Sequence, residues 1–496
     1  MRRRTGLVLA PLAFATLLAA PLPGLSPQAH TLAAVATTVV VLWITEAIPL
    51  AVAALLGPAL AVVLGVTSAE VALAPFADPL IFLFMGGFML AGGLSRQGFD
   101  RRAALWLLAR PALAGSPARA LAAIACISFA FSMWLSNTAT TAMLIPVALG
   151  LVATMKEAGG DDPATKQGLT RYGGGMCLTL AYAASIGGTA TPIGTGPNVI
   201  ALGMIEDSMG VRFDFLEWMT FALPTALVML AIVVALAVRR FPAPMRRIER
   251  LEHEVVRQLD ALGPIGAGER RAVAVFGLAI AGWLSPSVLK LVLGAGHPVA
   301  AWAKTSLDEG VVAIVCASLL FVLPSGKPSG RGELAPRLLR WEDAQTIDWG
   351  TLFLLGGGLA LGRMTFDTGL AHAIGHGLLN VAGPIAAHPA GLMAASVLLV
   401  VFLTEVTSNT ATTSMMLPVL IGLAQAGDTN PIPTVVAVTL AASYAFMLPV
   451  STPPNAMAYG TRMIRIDAML AFGIRLDLIG YLVLMLTGLV LLHLSV

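Results

Sequence analysis

The sequence predicts an all-α polytopic membrane protein, with about eleven transmembrane helices and two re-entrant hairpins arranged as an inverted-topology repeat. Three observations predict it. The 496 residues are 57% hydrophobic and only 11% charged, with a mean hydropathy of +0.84, whereas soluble domains carry about 25% charged residues. Apolar stretches of spanning length recur along the whole chain. A run of small polar residues, SNTATT, occurs twice, at 136–141 and at 408–413, in otherwise apolar surroundings.

The spans follow in order. Apolar segments lie near 7–25, 31–45, 47–66, 79–95, 172–209, 216–238, 272–289, 307–323, 350–364, 432–464 and 473–495. The first begins after Arg2, Arg3 and Arg4. A basic start followed by an apolar core also suits a cleaved signal peptide, but in so apolar a chain a first spanning helix is the better expectation. Two further apolar segments, 118–157 and 388–424, are too long for one span, and each is interrupted by its SNT run. Non-helical backbone at membrane depth is tolerated where it is buried in protein or lines a wet cavity, so both are expected to be hairpins.

The positive-inside rule tests this order. With the N-terminus in the cytoplasm and the C-terminus outside, cytoplasmic segments receive 26 of the 30 Lys and Arg; Arg212, Lys290, Lys304 and Arg363 fall elsewhere. The first hairpin then enters from the cytoplasm and the second from outside. The net charge of +3 gives no footing for nucleic acid. Cys126, Cys177 and Cys316 have no CxxC spacing and are expected to be small apolar core residues.

The halves repeat. SNTATTAMLIPV at 136–147 matches SNTATTSMMLPV at 408–419 at nine of twelve positions. TGPN at 195–198 pairs with TPPN at 452–455, and Gly203 and Gly460 each stand five residues past the Asn. Upstream, Gly86-Gly87 precedes Ser136 by 50 residues, and Gly356-Gly357 precedes Ser408 by 52. The expected division is a first repeat at 1–238 (hairpin 118–157, broken helix 172–209), a cytoplasmic amphipathic linker at 239–271, and a second repeat at 272–496 (hairpin 388–424, broken helix 432–464). Inverted repeats with interrupted helices meeting at mid-membrane are a signature of secondary transporters.

Each SNT run ends one helical arm and begins another, so a tip exposes carbonyls on one side and N–H groups with a positive dipole end on the other. Ser, Thr and Asn add hydroxyl and amide groups, and hard cations prefer such oxygen ligands. GGTATPIGTGPN at 187–198 and FMLPVSTPPN at 446–455 supply the same elements beside each tip. Small residues also let membrane helices approach closely, but four polar breaks in two matched pairs favour a binding site. No Lys or Arg occurs at 120–155, 172–211 or 364–461. An anion bound there has no salt-bridge partner, and the idealised cost of a bare ion in low dielectric is of order 20 kcal/mol. Cations bound nearby would offset it, which makes cation-coupled anion transport the natural expectation. A neutral substrate is also compatible with these residues alone.

The paired SNT runs, with SIGGTATPIGTGPN and FMLPVSTPPN after them, resemble the divalent-anion/sodium symporter family, which includes sodium–dicarboxylate and sodium–citrate cotransporters. The resemblance covers essentially the whole chain. It implies a scaffold domain that forms a homodimer and a transport domain that moves like an elevator. It implies one sodium site at Ser132, Ser136, Asn137, Gly194 and Asn198, and a second at Thr404, Ser408, Asn409, Ser451 and Asn455. The substrate carboxylates would meet Asn137, Thr138, Thr195, Gly196, Asn409, Thr410, Thr452 and Pro453. Ala is frequent in relatives at the position of Ser451, where backbone coordination would make Ser harmless. The expected activity is sodium-driven uptake of a C4-dicarboxylate (succinate, malate or fumarate) across the plasma (inner) membrane, with no organic cofactor. Citrate or sulfate symport and sodium-independent dicarboxylate exchange are the alternatives.

Other features carry less. Glu46 and Glu405 are acids in apolar segments, suspects by default, though a hydrogen-bonding role suits both equally. His372 and His376 have metal-ligand spacing without a third ligand, and a surface helix is the better expectation. Asp308-Glu309 suit a helix start. A membrane-embedded enzyme would need an intramembrane nucleophile and base, or a motif such as HExxH, and none is present. A channel would want symmetric pore rings, whereas inverted repeats favour alternating access.

Overall fold

The computed structural model describes residues 2–110, 116–158, 162–245, 251–294, 296–326, 336–382 and 388–494. Among them the chain is helical throughout, apart from one isolated antiparallel bridge between Pro324 and Arg337. It opens with α1 (Arg2–Ala19), α2 (Pro27–Thr45) and α3 (Leu50–Val63). A short α4 (Ala69–Leu73) and a 3₁₀ turn lead into α5 (Pro79–Gln97), followed by α6 (Phe99–Leu108). Then come α7 (Pro117–Ser132), α8 (Asn137–Ala158), α9 (Pro163–Thr189), α10 (Gly196–Met209) and α11 (Phe215–Arg240).

Within the expected linker, α12 (Leu251–Ala261) is helical, while 246–250 lie outside the described residues. The second half contains α13 (Ala267–Leu293), α14 (Pro298–Ser306), α15 (Glu309–Val322) and a short α16 (Trp341–Ala344). It continues through α17 (Trp349–Asp367), α18 (Leu370–Ala382), α19 (Pro389–Thr404), α20 (Asn409–Ala426), α21 (Ile432–Ala441), α22 (Pro453–Gly460) and α23 (Ile466–Leu494).

Local chemistry sets many of these starts. Asp78, Asp162, Asp214, Asp308 and Asp348 each cap a helix by accepting from its first-turn N–H groups. Asp308 therefore does cap α15, and Arg212 binds it at 2.6 Å and Glu309 at 3.0 Å. Partial burial works against the charge on Arg212, but its hydrogen bond to Asp308 and the nearby Glu309 outweigh this and hold it above the ordinary arginine range. Pro117 and Pro389 occupy the first helical position of α7 and α19, where a missing N–H costs nothing.

Helix lengths recur between the halves. Helices α5 and α17 each have 19 residues after an Asp cap, and α7 and α19 each have 16. The paired glycines mark close crossings: a Cβ on Gly86 would lie 2.7 Å from the Ala313 backbone of α15, and one on Gly357 would lie 2.3 Å from the Ala54 carbonyl of α3.

The deepest part of the molecule is α9 and α10. From Tyr172 to Ile205 every residue is buried except Thr195, which is half-buried. A segment with no lipid-facing stripe must be wrapped by other helices, and α7, α8, α11 and α22 pack around α9. A second apolar cluster joins α1–α3 to α17 through Leu32, Val39, Trp43, Ala54, Leu361 and Met364.

Six helices among the described residues are long and apolar enough to cross a bilayer, or seven if α14 and α15, bent by 69°, form one span. The eleven apolar segments do not map one to one onto helices. Segment 172–209 is two helices parted at 190–195, and 432–464 is α21 and α22 parted at 442–452. Gly, Thr and Pro at these partings withhold the continuous ladder of a single span. Cys177 and Cys316 are buried, but Cys126 is exposed on α7, so the expectation of a core role fails there. That face of α7 points away from its neighbours, and a small apolar thiol is tolerated on it. His372 and His376 lie exposed on α18.

Candidate functional site: a cavity where four interruptions meet

Four interruptions of the chain face one cavity of about 340 Å³. The first separates α7 from α8. The hydroxyl of Ser132 donates to Asn137 Oδ1 at 2.6 Å, and Ser136 Oγ accepts from the Ala139 N–H at 3.1 Å. Trp134 anchors this tip, stacked on Phe215 and Trp283 with centroids at 5.9 and 6.3 Å. The second interruption separates α9 from α10. There Asn198 Nδ2 donates to the carbonyls of Gly188, Thr189 and Thr191 at 3.1, 3.3 and 2.7 Å, fastening the end of α9 to the start of α10.

The third and fourth interruptions repeat these bonds. Thr404 Oγ1 lies 2.8 Å from Asn409 Oδ1 and 2.6 Å from the Ala442 carbonyl, its one proton shared between them. Asn455 Nδ2 donates to the Ala445 and Leu448 carbonyls at 2.8 and 3.1 Å. Thus Ser132, Asn137 and Asn198 in one half stand in the same relations as Thr404, Asn409 and Asn455 in the other.

The eight residues expected to meet substrate, Asn137, Thr138, Thr195, Gly196, Asn409, Thr410, Thr452 and Pro453, all line this cavity. Ser136, Gly194, Ser408 and Ser451 line it too, while Ser132, Asn198, Thr404 and Asn455 are fully buried behind it. The halves touch within the site, because a Cβ on Gly196 would lie 2.7 Å from Thr410 Oγ1. Backbone approach is equally close around the first sodium set. A Cβ on Gly188 would lie 2.4 Å from Asn137 Oδ1, and one on Gly194 would lie 2.3 Å from the Gly188 carbonyl.

The electrostatics follow from this arrangement. Helices α8, α10, α20 and α22 begin at the cavity from the four interruptions, and α3, at Leu50, and the Asp348-capped α17 begin there as well, so positive dipole ends and first-turn N–H groups converge on it. Ser408 at the start of α20 makes no side-chain capping bond, which leaves those N–H groups for a ligand. The charged residues in the lining are both acids, Glu46 and Asp348; among the described residues no Lys or Arg lines it. Behind it, Asn198 Oδ1 and Asn455 Oδ1 are buried without a hydrogen-bond partner among the described residues. A buried amide oxygen left unpaired costs about 1–3 kcal/mol, a cost that a bound cation would offset.

Glu405 has a definite structural task. Its carboxylate accepts from the Met447 and Leu448 N–H groups at 2.8 and 3.0 Å and from Ser451 Oγ at 2.5 Å, tying the second tip to the interruption beside it. The Ser451 hydroxyl is thereby committed, and its carbonyl is the group left for a cation. Glu46 lies exposed at the cavity with φ 48°, a left-handed conformation that costs a non-glycine residue about 1–2 kcal/mol.

Sequence reasoning missed Leu50, Phe84, Phe88, Asp348 and Thr351, which with Thr407, Val450, Pro454 and Glu46 complete the lining. One signal was present: Phe84 and Phe88 flank the Gly86-Gly87 landmark and meet edge to face at 5.4 Å. A larger cavity of about 690 Å³ lies between α1–α2 and α17, α18 and α20, but its lining is mostly apolar, with Thr37, Thr365 and Ser414 its hydroxyls. Its Thr365 and Ser414 hydroxyls are already bonded to backbone, so the ligand chemistry belongs to the smaller one.

Comparison with known proteins agrees with this architecture. Residues 2–494 match the family described as the sodium:sulfate symporter transmembrane region. A protein named sodium-dependent dicarboxylate transporter SdcS from Staphylococcus saprophyticus is 33% identical over 485 residues, covering 97% of this chain and 90% of the relative. Its namesake from Staphylococcus aureus strain USA300 is 32% identical, covering 97% of this chain and 89% of the relative. The crystal structure of the YdaH transporter from Alcanivorax borkumensis superposes with a TM-score of 0.57 at 15% identity, over 98% of this chain and 96% of that one, which is a likeness of fold. The chain belongs to the sodium:sulfate symporter family, a family of integral membrane transporters and not of enzymes.

Proposed function

We propose that this protein couples sodium entry to uptake of a C4-dicarboxylate such as succinate, malate or fumarate. The observation that carries the proposal is a cavity where the helix starts of four interruptions converge without any Lys or Arg in the described lining, backed by two unpaired buried amide oxygens. Helix ends attract a dianion but balance only part of its charge. Two cations, one beside Asn198 and one beside Asn455, supply the rest, and binding of either partner then favours the other. The first sodium ion is assigned to Ser132, Ser136, Asn137, Gly194 and Asn198. The second is assigned to Thr404, Ser408, Asn409, Ser451 and Asn455.

One carboxylate meets Asn137, Thr138, Thr195 and Gly196; the other meets Asn409, Thr410, Thr452 and Pro453. Two such clusters offer one site to each carboxylate, which favours a dicarboxylate over sulfate, a single compact anion. The names of the SdcS relatives support the same substrate class.

In this reading, 1–238 and 272–496 are inverted repeats. The segments around 118–157 and 388–424 are re-entrant hairpins carried by a transport domain. That domain moves against a dimeric scaffold, elevator fashion, in the inner membrane, with the N-terminus in the cytoplasm and the C-terminus outside. Recurrent helix lengths and matched hydrogen bonds support the repeat. Thermal unfolding of the purified protein tests the coupling, since a ligand that binds only the folded state raises Tm. Succinate is expected to raise Tm in sodium and not in choline. Equal stabilisation in choline would remove sodium from the mechanism and leave exchange.

A further inference from the structure

We infer that Glu46 sets the charge limit of the cavity, admitting ligands with two carboxylates and turning away those with a third. The inference rests on the dicarboxylate reading above and adds the residue that enforces it. Glu46 follows the last turn of α2 with φ 48° and ψ 37°, its N–H closing on the Trp43 carbonyl. Gly or Asn suits that left-handed position, and a residue kept there against its steric preference is retained for its side chain.

That side chain borders the substrate cavity, and its carboxylate has no hydrogen-bond or ion-pair partner among the described residues. Asp348, the other acid in the lining, differs. Its oxygens are occupied by the Thr351 N–H at 3.0 Å and the Thr351 hydroxyl at 2.6 Å. Two carboxylates use both SNT tips. Beyond them the lining offers Thr407, Val450, Pro454, two aromatic rings, the uncapped start of α3 at Leu50, the self-capped start of α17 and the unpaired Glu46. A third carboxylate finds only the first-turn N–H groups of α3 there, and Glu46, four residues before Leu50 in the chain, meets it with a like charge. Discrimination of this kind rests on a repulsive element, and like-charge juxtaposition supplies it.

The test uses the full chain in proteoliposomes, at a fixed pH well above the carboxyl range. Inhibition of succinate uptake is compared for tricarballylate and for its monoamide, which has the same size but one charge fewer. The readout is each inhibitor's Ki divided by the succinate KM, which cancels differences in the amount of folded protein. Glu46→Gln removes the charge, and Glu46→Asn removes it with a residue suited to the left-handed backbone. In both, the tricarballylate ratio is expected to fall about tenfold, while the monoamide ratio moves less than about twofold. An unchanged tricarballylate ratio in both variants overturns the inference, as does an equal fall for the two inhibitors, which would mark a size effect. Absence of sodium-driven succinate uptake in the wild type is a separate result; it overturns the functional reading, and this inference with it.

Discussion

Asn137 is proposed to serve two ligands with one side chain. Ser132 holds its Oδ1, which leaves Nδ2 as a donor at the cavity, and Asn409 is held likewise by Thr404. Asn137→Ala is expected to weaken both sodium dependence and succinate affinity by about tenfold or more, since hydrogen bonds to charged groups are worth about 1.5–3 kcal/mol; initial uptake rates at varied sodium and succinate check this. Asn455→Ala removes an unpaired oxygen and also strips the Ala445 and Leu448 carbonyls of their donor. It should raise the sodium half-saturation more than the succinate KM. Glu405→Gln trades three hydrogen bonds to a carboxylate for fewer to an amide and is expected to lower Tm. An unchanged melting curve would deny Glu405 its fastening role. The SNT residues were legible in the sequence because uncharged polar runs are costly in an apolar chain unless they bind something. The roles of Glu46 and Asp348 were not, because their place in the cavity depends on contacts between segments about 300 residues apart.

Among elements, the interruptions are proposed to carry the function, and their fit is tight. Gly188→Ala would place a Cβ 2.4 Å from Asn137 Oδ1, whereas Gly150→Ala, on α8, meets open space. The first change is expected to cost about 1–3 kcal/mol and to abolish sodium-dependent stabilisation; the second should leave it intact. Ligand-shifted melting curves of the two variants decide this. The chain after α12 is fastened by Arg102, whose guanidinium binds Glu269 at 2.6 Å and the Gly263 and Leu262 carbonyls at 2.7 and 3.2 Å. Arg102→Ala strands the buried Glu269 and should destabilise by about 3 kcal/mol, with Glu269→Gln in the same chain restoring much of the loss in thermal unfolding. Sequence patterning located the interruptions well, since Gly, Thr and Pro cluster where helices part. The expected span 307–323 is α15 itself, but patterning did not find α14 before it, from which the chain bends by 69° at Leu307 into the Asp308 cap.

Across the whole molecule, the halves place equivalent groups on one cavity: two SNT tips, two interrupted helices and two buried asparagines. On the proposed reading, such a site draws an anion with helix ends and, lacking fixed positive side chains in its described lining, needs cations to balance it, so it would bind its ligands jointly or poorly. That joint requirement is the basis of coupling, because an empty or half-filled site remains unbalanced in a low dielectric. The repeat was legible because motif, order and spacing agreed in both halves, whereas the wrapping of α9 and α10 by their neighbours emerges only in three dimensions. The central claim is that sodium and dicarboxylate move together. Uptake of labelled succinate into proteoliposomes, with an inward sodium gradient and with choline in its place, tests it most directly. Saturable uptake that requires sodium is the predicted result; uptake at the same rate in choline would contradict it.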